Sequence, residues 1–114
     1  MKSRKNEHLR ICLEEHIEFT GTDANGFRSF RFNHDALPEI DRSKIDLHTT
    51  LFGKELSAPF LIGAMTGGSE RAAEINRRLA LAARHCRVGL CLGSQRSMLE
   101  SPEALSSYSV RDHA

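Results

Sequence analysis

The chain has 114 residues, with 16 Lys and Arg against 15 Asp and Glu, so its formal net charge of +1 gives no general attraction to nucleic acid or to an anionic membrane. No apolar run approaches the roughly 20 residues that cross a bilayer. The basic start at residues 1–5 is not followed by the apolar segment of a secretory signal. We therefore expect a cytoplasmic protein that binds neither nucleic acid nor membrane.

The first third of the chain predicts a helix, a loop and an aromatic cluster. Residues 6–15 place Leu9, Cys12 and Leu13 on one helical face, and residues 20–26 have the composition of a turn. Three phenylalanines interleaved with arginines follow, at positions 27, 30 and 32. They are compatible with a nucleic-acid stacking surface or with a plug packed against a larger body, and the near-neutral charge favours the plug.

Residues 45–58 predict a β-hairpin. Two runs that suit strands, 45–52 and 55–58, flank Gly53-Lys54, where we expect the turn. The odd number of cysteines, three in all, argues against a disulfide framework. We expect Cys12, Cys86 and Cys91 to be reduced and buried as small apolar side chains.

The stretch 57–96 predicts a βαβ unit, around which the rest of the chain is organised. The apolar run 60–65 indicates a strand buried on both faces, and 88–92 indicates a second, parallel strand. Between them Ser69 is the expected N-cap of a helix and Glu70 lies in its first turn. The apolar positions of that helix recur at helical spacing: Ile75, Leu79, Ala82, Ala83 and Cys86.

Polar turns follow both predicted strands. Because parallel strands end at the same edge of a sheet, Met65-Thr66-Gly67-Gly68 and Gly93-Ser94-Gln95-Arg96 are expected to share one rim. Glycines admit a flat ring or an anion close to the backbone, and arginine binds phosphate through two hydrogen bonds. The residues alone thus predict a phosphate-binding site on a parallel α/β sheet, without a catalytic or metal-ligating side chain. A short helix is expected from Ser101-Pro102 to Ser107.

With these motifs in view, the sequence resembles the N-terminal portion of the type 2, FMN-dependent isopentenyl-diphosphate Δ-isomerases. The match covers nearly the whole chain, in the family's order and spacing. Four stretches carry it: Arg4-Lys5 with Glu7-His8-Leu9, Ala36-Leu37-Pro38-Glu39-Ile40, Ser57-Ala58-Pro59 through Met65-Thr66-Gly67-Gly68, and Gly93-Ser94-Gln95-Arg96.

The resemblance implies an α/β fold, the N-terminal part of a (β/α)₈ TIM barrel that interconverts isopentenyl and dimethylallyl diphosphate. It also implies reduced FMN, NADPH and Mg²⁺ as cofactors and a homo-oligomer at full length. The implied substrate ligands are Arg4, Lys5, Ser94, Gln95 and Arg96. The implied FMN contacts are Met65, Thr66, Gly67 and Ser94.

By the same resemblance, residues 1–56 form an N-terminal extension of helix, aromatic loop and hairpin, and residues 57–114 form the first βα units of the barrel. Only about two of the barrel's eight strands are present, so we expect the 114-residue chain alone to be inactive. Two alternatives stay open. One is another FMN barrel, of the α-hydroxyacid oxidase or inosine-monophosphate dehydrogenase type, and the other is a noncatalytic fragment or a piece that needs a partner.

Overall fold

The computed structural model describes residues 2–18 and 26–114, so most of the predicted loop at 20–26 lies outside the described residues. The chain begins with helix α1, Lys2–Glu14, which confirms the predicted helix and starts it earlier. Leu9 is buried, whereas Cys12 and Leu13 are exposed. The predicted three-residue apolar face of this helix is therefore reduced to Leu9.

The aromatic segment that follows is exposed. It contains two 3₁₀ turns, Phe27–Ser29 and Arg42–Lys44. The side chains of Phe30 and Phe32 are 75% and 102% exposed. No layer of the described residues covers this segment, so the aromatic plug, which needs a larger body to pack against, stays a prediction.

A β-hairpin follows, as predicted. Strands β1, Thr49–Leu51, and β2, Lys54–Leu56, pair antiparallel. The turn consists of Phe52 and Gly53, one residue earlier than predicted, and both have positive φ, 49° and 73°. Positive φ at both central residues is the geometry of a type I′ turn, which matches the twist of the strands. This requirement moves the turn so that Gly53 takes its second position.

The βαβ unit is confirmed. Strands β3, Leu61–Ile62, and β4, Gly89–Leu90, pair in parallel. Helix α2, Glu70–Cys86, connects them in the sequence. The pairing continues past the strands, since the Cys91 amide donates to the Ile62 carbonyl at 3.0 Å. Burial of the first strand on both faces is not confirmed, because Phe60 and Leu61 are 65% and 50% exposed. Two strands and one helix layer leave the other face of this sheet uncovered.

Helix α2 begins as predicted, with the Ser69 hydroxyl accepting from the Ala72 amide at 3.2 Å. Its buried face, however, is rotated from the predicted one, and of the five predicted positions only Ala83 is buried. Small side chains let the helix lie close to its neighbours. The buried face is Ala72, Asn76, Ala80 and Ala83. The cysteines are free, as predicted, but the expected burial is wrong for all three: Cys12, Cys86 and Cys91 are exposed.

The C-terminal part closes over α2. Helix α3, Arg96–Glu100, leads into a 3₁₀ helix, Pro102–Ser107, which packs against α2 and confirms the predicted short helix in tighter form. Tyr108 and Val110 then enter the core. The described chain is thus an α/β structure with two separate two-stranded sheets and without a closed barrel. Across the described residues, no helix combines the length and apolar character of a membrane span.

Candidate functional site

The two polar turns meet at one edge of the β3–β4 sheet, as predicted. Gly93, after β4, lies so close to the turn after β3 that a Cβ atom on it would stand 2.8 Å from the Thr66 carbonyl oxygen. Only a residue without a side chain allows this approach. The rim expected from the sequence is therefore formed.

Helix α1 reaches the same place through Lys5. Its Nζ atom donates to the hydroxyl of Tyr108 at 2.7 Å and to the carbonyl of Ser94 at 3.2 Å. The Tyr108 hydroxyl in turn donates to the Ser94 carbonyl at 2.9 Å and lies 2.8 Å from the Ser97 hydroxyl. A tyrosine has one hydroxyl proton, so Ser97 is the donor in that last contact.

The glycines of the first turn make room for Tyr108 and Ser97. A Cβ on Gly67 would lie 2.1 Å from the Tyr108 ring, and one on Gly68 would lie 2.8 Å from the Ser97 hydroxyl oxygen. Gly68 also has a φ of 87°, which favours glycine. The flat ring admitted beside Gly67 is thus the protein's own. The predicted flavin contact of Gly67 stays a prediction. Because Tyr108 occupies the space beside the Gly67 Cα atom, only the backbone of Gly67 is left for such a contact.

Thr66 is held from behind by a buried amide. The Nδ2 atom of Asn76 donates to the carbonyls of Thr66 and Ser107, at 3.2 and 2.8 Å. The Ser107 hydroxyl accepts from the Gly68 amide at 2.6 Å. The Thr66 hydroxyl is the exception: within the described ranges it is the buried side-chain polar atom that lacks a partner. An unpaired buried hydroxyl costs about 1–3 kcal/mol, which an additional acceptor or donor would offset.

The other predicted site residues lie at the surface. Met65 is 51% exposed, and Arg4 is exposed without a hydrogen bond or ion pair to any described residue. Gln95 is also exposed, and the Nε atom of Arg96 pairs with Glu100 at 3.2 Å. The structure therefore brings Lys5, the Thr66 turn and the Ser94 turn together and leaves the remaining predicted ligands at the surface, with Arg96 in an ion pair.

Sequence reasoning missed the side chains that hold this site. Two signals were available. Asn76 is a polar residue inside an alanine row at i and i+4 spacing, and Tyr108 is the single tyrosine of the chain, within a serine-rich stretch. The missed residues are Asn76, Ser97, Ser107 and Tyr108.

A cavity of about 560 Å³ lies beside the site and shares Gln95 and Tyr108 with it. Its floor is apolar, with Val88, Leu90 and Leu92 of the second parallel strand region. Three arginines also line it: Arg84, Arg87 and Arg111. Among the residues that the structure describes, no group of His, Cys, Asp and Glu side chains is arranged to hold a metal ion.

Comparison with known proteins adds the family. A family model described as FMN-dependent dehydrogenase matches residues 13–109. Curated relatives named isopentenyl-diphosphate delta-isomerase are 49% identical over 113 residues in Nostoc sp. strain PCC 7120, 45% over 114 in Synechococcus sp. and 43% over 114 in Oceanobacillus iheyensis. The matches cover 99–100% of this chain and 32% of each relative, so the chain spans about a third of their length. The chain therefore belongs to the FMN-dependent dehydrogenase family, and the resemblance predicted from its sequence is confirmed.

Proposed function

We propose that this chain forms the N-terminal third of the active site of an isopentenyl-diphosphate Δ-isomerase built as an FMN-containing (β/α)₈ barrel. The observation that carries the proposal is the convergence of three distant stretches. Lys5 bonds to the carbonyl of Ser94, and Thr66 packs against Gly93. Residues separated by up to 89 positions in the sequence thus share one rim, at the strand ends where parallel α/β folds bind ligands.

The residues around Thr66 are suited to FMN in part. The half-exposed Met65 and the exposed Ser94 would provide apolar and polar contacts on either side of the cofactor, whereas the buried, unpaired Thr66 hydroxyl would reach a polar group of it only if the turn opened. Bound FMN would supply the proton-transfer chemistry at the substrate's double bond. The described residues would orient it and contribute no acid or base of their own.

Lys5 and Arg4 are the proposed ligands of the substrate diphosphate. Both are cations at the start of α1, and the rim of the Ser94 turn lies next to Lys5. Arg96 reaches the substrate only by leaving Glu100, which costs little because an exposed ion pair contributes at most about 1 kcal/mol. On the resemblance alone we further propose NADPH and Mg²⁺ as cofactors, a homo-oligomer at full length, a cytoplasmic site of action, and the division of the chain at residues 56 and 57.

The second candidate is a flavin-dependent oxidoreductase, favoured by the family description FMN-dependent dehydrogenase. Such an enzyme would take a 2-hydroxy acid or a nucleotide in place of isopentenyl diphosphate. The adjacent cations Arg4 and Lys5 argue against a small monocarboxylate as the substrate, because a single carboxylate can be bound by one cationic side chain.

A chimera tests the proposal. The 114 residues of this chain replace the matching third of the Nostoc relative, and the protein is assayed anaerobically with isopentenyl diphosphate, FMN, NADPH and Mg²⁺. We expect formation of dimethylallyl diphosphate. A chimera that binds FMN but oxidises 2-hydroxy acids, or that binds FMN without isomerising, would contradict the proposal.

Point variants of the chimera test the site. Lys5→Met should raise the KM for isopentenyl diphosphate about tenfold, the value of one charge-assisted hydrogen bond. Lys54→Met in the exposed hairpin is the matched control and should leave KM unchanged. The isolated 114-residue chain, assayed alongside, should show no turnover above the flavin-only blank, and measurable turnover would refute that expectation.

A further inference from the structure

We propose that Tyr108 is a positioning residue whose hydroxyl holds the ammonium group of Lys5 so that one of its N–H bonds faces a phosphate-containing anion. The inference rests on the proposed function for the identity of that anion. It goes further by giving a physical task to Tyr108, which is not among the proposed ligands.

The hydrogen bonds of the ammonium group leave one donor over. A lysine ammonium has three N–H bonds. Two of them are directed at the Tyr108 hydroxyl and the Ser94 carbonyl, at 2.7 and 3.2 Å. Because the two acceptors are themselves joined by a hydrogen bond of 2.9 Å, they hold the ammonium group at two points. The third N–H is left for a ligand on the rim.

The charge of Lys5 is uncompensated. Both of its acceptors are neutral oxygens, and no carboxylate of the described chain lies within ion-pair distance of its Nζ atom. Lys5 is also partly buried, so water screens its charge less than that of the exposed Arg4 beside it. A half-buried cation fixed between neutral acceptors favours the binding of an anion, and Arg4 adds a second positive charge at the same end of α1.

Tyr108 is itself held firmly enough to do this. It is 5% exposed, its ring lies against the backbone of Gly67, and its hydroxyl oxygen accepts a hydrogen bond from the Ser97 hydroxyl. The ammonium group also lies 5.4 Å from the centre of its ring, within the range of cation–π attraction. Tyr108 therefore contacts α1, the turn after β3 and the turn after β4. It fixes the position of the Lys5 ammonium group relative to both turns.

The experiment is a double-mutant cycle in the 114-residue chain, with inorganic pyrophosphate as the probe and calorimetry as the measurement. Tyr108→Phe keeps the ring and removes the hydroxyl, and should weaken pyrophosphate binding by about threefold to tenfold. Lys5→Met should weaken it at least as much. The double variant should bind pyrophosphate as tightly as Lys5→Met alone, because Tyr108 acts through Lys5.

Arg4→Met supplies the matched comparison. Arg4 precedes Lys5 on the same helix and makes no bond to Tyr108, so the losses from Arg4→Met and Tyr108→Phe should multiply. If Tyr108→Phe does not fold, Ser97→Ala serves as the second variant. It removes the hydroxyl that donates to the Tyr108 oxygen, and it should weaken pyrophosphate binding about twofold to threefold. In the chimera, Tyr108→Phe should raise KM for isopentenyl diphosphate and leave kcat within about twofold.

Unchanged pyrophosphate affinity in folded Tyr108→Phe, or losses that multiply with those of Lys5→Met, would overturn the inference. Failure of the unmodified chain to bind pyrophosphate would instead count against the proposed diphosphate site. The positioning contact is then decided by the nitrogen NMR resonance of the Lys5 ammonium. Its shift in Tyr108→Phe supports the contact, and its constancy refutes it.

Discussion

Residues 26–48 and residues 57–114 differ in how they are held, although both contain large apolar side chains. The first region has no buried residue, and the side-chain hydrogen bonds seen among its described residues join positions at most three apart. In three places an aspartate accepts from the amide two residues later: Asp35 from Leu37, Asp41 from Ser43 and Asp46 from His48. The second region contains most of the core and bonds across long sequence distances, as between Asn76 and Ser107.

The comparison shows that local hydrogen bonds shape a chain without burying it. In the first region the bonds from Ser43 and His48 lower the pKa of Asp41 and of Asp46, so these aspartates favour their turns in the ionised form. Their contribution is present above the ordinary pKa of aspartate and is lost as pH falls through the lowered value. Burial in the second region instead depends on side chains that distant segments bring together.

Gly67→Ala should have the largest effect, because it strikes the second region at its closest contact. The new methyl group would collide with the Tyr108 ring, and we expect a loss of about 3 kcal/mol in the free energy of unfolding. Urea unfolding followed by tyrosine fluorescence measures it, since Tyr108 is the single tyrosine and the chain has no tryptophan. The control is Gly63→Ala, where a methyl group meets nothing within 4 Å. Equal stability of the two variants would contradict the packing described.

Asn76→Asp should come next. It replaces the amide that donates to the carbonyls of Thr66 and Ser107 with a carboxylate that faces both oxygens and cannot donate when ionised. We expect a loss of about 2–3 kcal/mol at neutral pH, measured by urea unfolding. Asn33→Asp, at an exposed position of the first region, should change little. A tolerated charge at position 76 would mean that the amide is not buried as described.

A smaller effect is expected for Glu74 on the surface of α2. Hydrogen bonds from Arg77 and Arg78 lower its pKa from an ordinary 4.5 to about 2. A lowered pKa in the folded state stabilises the protein above pH 4.5, and the contribution is lost as pH falls toward 2. Glu74→Gln should flatten the pH dependence of the urea midpoint in this window. A carboxyl resonance of Glu74 that titrates near 4.5 would disprove the ion pair.

The smallest effect on stability is expected for Phe32→Ser. The ring is fully exposed, so its loss should change the free energy of unfolding by no more than about 0.5 kcal/mol. It should instead reduce binding of an apolar dye and self-association, because exposed apolar patches are adhesive. Sedimentation at several protein concentrations measures this. A stability loss above about 1 kcal/mol would show that the aromatic segment packs against the chain.

The sequence by itself determined the features whose causes lie within a few residues. Ser69 caps α2 because its hydroxyl accepts a hydrogen bond from the amide three residues later. The hairpin turn lies at Phe52 and Gly53 because glycine suits the second position of a type I′ turn. Parallel pairing of β3 and β4, and hence the shared rim, also followed from a short strand–helix–strand pattern.

Tertiary structure alone decided which residues are buried and which side chains meet. Periodicity indicated an apolar face for α2, but the small side chains around Asn76 are the ones that the C-terminal segment covers. The bond between Lys5 and Tyr108 joins residues 103 positions apart. A local pattern carries no information about such a contact, because its energy is gained only after the intervening chain has folded and brought the two side chains together.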